Sequence, residues 1–115
     1  ETIKNTFEAY GYLCDTHTAV AVNVYEQYKK ETKDTRPTVI ASTASPYKFA
    51  KSVLSAVSDA VAQDEFEYVR MLSEKTFTTA PAPISALENA KVRFEQVCES
   101  DTMKQAVFSA LGIDM

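Results

Sequence analysis

The run Thr38-Val39-Ile40-Ala41-Ser42 restricts the choice of fold more than any other stretch of the chain. It is rich in β-branched residues and shows no polar alternation, the pattern of a strand covered on both faces, as in a parallel sheet. Such a strand needs neighbours on both edges and helices above and below. The rest of the sequence reads mainly as helix, so it supplies too few strands. The expectation is an α/β fold in which residues 38–42 join a sheet built largely by other polypeptide. The 115 residues suit one compact unit. Within it, residues 1–58 form a helix-strand-helix part and residues 59–115 a helical extension.

The helical reading rests on periodicity and punctuation. Ile3, Phe7 and Tyr10 share one side of a short helix that Gly11 stops at the position of a left-handed cap. Asp15 is a good N-cap for a second helix over residues 16–31, whose Ala19, Val20, Ala21, Val22, Val24, Tyr25 and Tyr28 cover most of its circumference. A helix apolar nearly all round is packed on more than one side. Lys29 and Lys30 sit at its negative end, and Glu26 pairs with Lys30 one turn on. Residues 32–37 are a polar connection.

After the expected strand, Ser45 caps and Pro46 opens a third helix, with Phe49, Ala50, Val53, Leu54 and Val57 as its apolar stripe. A fourth helix over residues 64–75 carries Phe66, Val69, Met71 and Leu72, and the prolines of residues 76–83 break it. Residues 91–98 lean towards an extended segment through the alternation Val92-Arg93-Phe94-Glu95. Ser100 or Asp101 caps a last helix over residues 102–111, with Met103, Ala106, Val107 and Ala110 on its inner face, and Gly112 ends it.

Several function classes are disfavoured. A net charge of -4 repels phosphate backbones, so nucleic acid is not an expected partner. No window approaches the roughly 20 consecutive apolar residues of a membrane span, and Glu1-Thr2-Ile3-Lys4 does not open a signal peptide, so no membrane partner is expected and the reading is cytoplasmic. Two distant cysteines and one histidine make neither a zinc site nor a disulfide framework, so no metal is expected. Two glycines leave no room for a glycine-rich phosphate loop.

Two constellations at helix amino ends carry most of the chemistry. The first, Gly11-Tyr12-Leu13-Cys14-Asp15-Thr16-His17-Thr18-Ala19-Val20, gathers the carboxylate of Asp15, the imidazole of His17 and the hydroxyls of Thr16 and Thr18 within one turn. Unpaired N–H groups there favour anions, while the bland alternative is a capping turn with a hydrogen-bonded histidine. The second, Ser42-Thr43-Ala44-Ser45-Pro46-Tyr47-Lys48-Phe49, follows the expected strand, where ligands of open α/β sheets bind. Its bland alternative is again capping, since strand-to-helix turns favour Ser and Thr.

The segment Asp15-Thr16-His17-Thr18-Ala19-Val20, followed one helix and one loop later by Ser42-Thr43-Ala44-Ser45-Pro46-Tyr47-Lys48-Phe49, resembles the carboxyl-terminal signature of the threonine synthase family, bacterial and fungal type. The stretch Ala86 to Phe94 and the final helix from Met103 are similar in a looser way, so the resemblance spans essentially the whole chain. Thr16 departs from it where many relatives have proline, and both residues suit a first helical turn.

The resemblance implies a fold-type II pyridoxal-phosphate enzyme that converts O-phosphohomoserine and water to threonine and phosphate. By motif position Thr43 would meet the pyridine nitrogen of pyridoxal phosphate, with Ser42 as a second cofactor-binding residue and Ser45 shaping the same turn at the border of the active site. A hydroxyl can donate to an unprotonated ring nitrogen, whereas a carboxylate would hold that nitrogen protonated. Asp15, His17 and Thr18 would border the active site. The lysine that bonds the cofactor and the phosphate-binding turn belong to a region outside these residues, so no catalytic residue is assigned here and the chain alone is expected to be inactive. Its partners would be the rest of the parent chain and, there, the substrate. An unpaired strand at residues 38–41 would also make it self-associate. Two other readings stay open: a self-contained helical interaction module, and a piece of another fold-type II enzyme such as a dehydratase or sulfhydrylase.

Overall fold

A computed structural model describes residues 1–113. It is helical: α1 (Thr2–Tyr10), α2 (Thr16–Thr32), α3 (Ala50–Val57), α4 (Glu65–Thr76), α5 (Ala82–Ser85) and α6 (Met103–Ala110), with short 3₁₀ turns at Pro46–Phe49, Ala86–Asn89 and Ser100–Thr102. The local signals act as read. Gly11 ends α1 at φ 66°, its N–H donating to the Phe7 carbonyl. Asp15 caps α2, Ser45 accepts from the Tyr47 N–H ahead of α3, and Gly112 (φ 66°) follows α6. The Asp64 carboxylate caps α4 by accepting from the Glu67 N–H at 2.8 Å.

The α/β expectation is overturned. Among the described residues there is no strand, at residues 38–42 or at 91–98. β-Branching biases a residue towards extended backbone, but a strand exists only through hydrogen bonds to a neighbour. Among the described residues neither run pairs with another segment. Val39 is 95% exposed, and Val92, Phe94 and Val97 also lie in solvent. Residues 33–37 are instead tied to α2 by side chains: the Tyr28 hydroxyl donates to Asp34, and Asp34 takes the Arg36 guanidinium.

The core forms where α3 lies on α4, with α1 packed against both α2 and α3. Val53, Leu54 and Leu72 are fully buried, joined by Ala50, Val69, Tyr68 and Ile3. Each of the two leucines contributes about 1.5–3 kcal/mol by leaving water. A hydroxyl cluster braces one edge: Tyr47 Oη contacts Thr78 Oγ1 at 2.6 Å and accepts from Ser73 at 3.0 Å, while Thr76 donates to the Leu72 carbonyl. These bonds pin the turn before α3 to the end of α4.

The remainder is lightly packed. The helix expected to be covered on several sides buries only Thr18 and Ala19, leaving Val20, Val24 and Tyr28 exposed one turn apart. The expected inner face of α6 meets no core, and Met103 and Val107 are exposed. The radius of gyration, 19.2 Å, exceeds the roughly 13 Å of a compact domain this long.

Candidate functional site

The site begins with a buried carboxylate. Asp15, fully buried, accepts at Oδ1 from the backbone N–H of His17 (2.8 Å) and of Thr18 (3.4 Å), and at Oδ2 from the Thr18 hydroxyl. His17 Nδ1 lies 3.2 Å from Asp15 Oδ1. Because a carboxylate only accepts, His17 Nδ1 is the donor of the bond between them. Burial pulls the Asp15 pKa upward, but the Thr18 hydroxyl and the His17 and Thr18 N–H groups outweigh it, so the carboxyl titrates below its ordinary value. The His17 ring is exposed and rests against Phe49, centroids 5.0 Å apart.

Tertiary packing brings the two sequence constellations into contact. Thr18 Oγ1 and Ser42 Oγ are 2.9 Å apart across 24 residues. The Tyr12 hydroxyl donates to the same Ser42 oxygen at 2.9 Å, across 30 residues. Of the residues singled out in the sequence, Asp15, His17, Thr18 and Ser42 therefore form one cluster. Ser45 is occupied in capping the following turn. Thr43 is exposed, and its hydroxyl has no side-chain partner among the described residues.

Tyr12 was missed as a site residue, although it lies in the first constellation. Its only sequence signal is its place after Gly11, whose left-handed backbone turns the chain between α1 and α2. Phe49, read as core, has a second role as the surface under His17. Tyr12, Leu13, Ser45, Pro46, Thr78 and Thr79 are among the residues that line an open groove of about 310 Å³. Beside the cluster, Cys14 is fully buried; burial, reinforced by the Asp15 charge, pushes its thiol pKa up. Among the described residues no group of His, Cys, Asp and Glu could hold a metal ion, and no helix is long and apolar enough to cross a membrane.

No curated protein and no solved structure matches the chain. One family model does, that of "Threonine synthase, C-terminal", over residues 18–107. That span includes Thr18, the whole Ser42–Phe49 turn and the α3–α4 core, and begins just after Asp15 and His17. Because that match covers most of the chain, the chain belongs to the threonine synthase C-terminal family.

Proposed function

We propose that this chain is the C-terminal part of a cytoplasmic, pyridoxal-phosphate-dependent threonine synthase, a lyase that converts O-phosphohomoserine and water to L-threonine and phosphate. Residues 1–58 form the active-site part and residues 59–115 its C-terminal helical extension. The observation that supports this best is the 2.9 Å contact between Thr18 and Ser42, which joins the two family-like segments and leaves Thr43 as a free hydroxyl beside them.

The residues present fit the cofactor. An exposed hydroxyl with no internal partner can donate to an unprotonated pyridine nitrogen, and the nearby carboxylate, Asp15, is buried and engaged by its own donors. When bound, pyridoxal phosphate supplies the electron withdrawal that lets a proton leave the substrate carbon beside the amino group. Thr43 would tune that withdrawal by its hydrogen bond. His17, oriented by Asp15 over Phe49, would border the substrate. The lysine that bonds the cofactor would come from the rest of the enzyme. That polypeptide would also cover the apolar faces left open here, among them Val20, Val24 and Val39.

The test uses the full-length enzyme. Thr43→Ala should weaken cofactor binding, measured from the change in cofactor absorbance, and Thr43→Ser should restore it. The isolated 115 residues, mixed with cofactor and O-phosphohomoserine, should form no threonine. Threonine formation by the isolated chain would overturn the assignment of the cofactor-bonding lysine to another region.

A further inference from the structure

The hydroxyl cluster converges on Ser42. The Tyr12 hydroxyl donates to Ser42 Oγ at 2.9 Å, and Thr18 Oγ1 meets the same oxygen at 2.9 Å with the geometry of a donor. Thr18 Oγ1 is itself held against the buried Asp15 carboxylate.

The Ser42 side chain is fixed from both sides, by Thr18 on α2 and by Tyr12 on the α1–α2 connection. No helix or strand includes residues 38–43, so these two bonds tie the start of the turn to α2 and to the connection before it. Tyr12 is half-exposed and adds little to the core, so its effect falls on the turn.

We propose that Tyr12 is a positioning residue for the cofactor contact: by donating to Ser42 it joins an Asp15-anchored hydroxyl cluster that holds the Ser42-Thr43 turn and so places the Thr43 hydroxyl. The inference rests on the cofactor role proposed above and adds a residue to it.

The experiment compares wild type, Tyr12→Phe, Ser42→Ala and the double variant in the full-length enzyme, by titrating apoenzyme with pyridoxal phosphate and by steady-state kinetics. Tyr12→Phe should raise the cofactor dissociation constant about fivefold, the factor carried by one neutral hydrogen bond. It should lower kcat, with KM for O-phosphohomoserine and the melting temperature little changed. Because Tyr12 acts only through Ser42, the double variant should be no worse than Ser42→Ala. A wild-type dissociation constant in Tyr12→Phe, or multiplying effects in the double variant, would overturn the positioning role. If Thr43→Ala weakens the cofactor while Tyr12→Phe does not, this inference alone falls. If wild type binds no pyridoxal phosphate, the proposed function falls with it.

Discussion

Thr18→Val is the sharpest test of the buried cluster, because it changes a hydroxyl for a methyl at nearly constant volume. Thr18 is 5% exposed, so the new methyl finds a dry site, and hydrophobicity alone would favour the variant. The lost hydroxyl, however, donates to an ionised and fully buried carboxylate. Hydrogen bonds to charged groups contribute about 1.5–3 kcal/mol, and an acceptor left buried loses its hydration as well. Asp15 keeps its backbone donors, so the expected cost is roughly 2 kcal/mol, near 8 °C in melting temperature. Thr18→Ser keeps the bond and removes one methyl, at about 0.8 kcal/mol. At pH 7 the order of stability should be wild type, Ser, Val.

The pH dependence follows from the direction of the Asp15 shift. Its folded-state pKa lies below the ordinary aspartate value, so its contribution is fully present above the unfolded pKa and is lost as pH falls through the folded one. Removing the Thr18 hydroxyl removes the largest lowering influence and leaves burial less opposed. The gap between wild type and Thr18→Val should therefore be widest near neutrality and close in acid, once Asp15 is protonated in both. Urea unfolding followed by circular dichroism at several pH values measures this. A Val variant as stable as the Ser variant at pH 7 would refute the reasoning.

Two further outcomes separate the packed half of the molecule from the open half. Leu72→Ala should cost about 2–5 kcal/mol in urea unfolding, whereas Leu87→Ala, on an exposed turn, should change stability by less than about 0.5 kcal/mol. Equal effects would mean that the α3–α4 contact is not the core. A thiol-reactive dye should label one cysteine per native chain, the exposed Cys98, and reach the buried Cys14 only in denaturant. The raised pKa of Cys14 slows it further, since the thiolate is the reactive form.

Much of the helical order was legible because its causes are local. Asp15, Ser45 and the two glycines act on backbone groups within four residues, so their roles follow from chain position. The stripe Ala50, Val53 and Leu54 was also readable, since spacing alone puts these residues on one face and each is buried. The same logic failed at residues 38–42. Side-chain composition records a preference for extended backbone, but a strand needs a partner's N–H and C=O groups. It failed again on α2, where apolar residues around the helix do not say which of them meet a neighbour in this chain.

The site divides in the same way. That Asp15 would gather the N–H groups of its own helix, and that Ser, Thr and His would sit at two helix starts, is written in the sequence through the short reach of capping bonds. That Tyr12, Thr18 and Ser42 share one line of hydroxyls, and that Thr43 stands outside it, was decided only when packing brought residues 24 and 30 positions apart within 2.9 Å. A hydroxyl has one proton and falls off steeply as a partner with distance. Who receives that proton therefore depends on the meeting of distant segments, which no local pattern encodes.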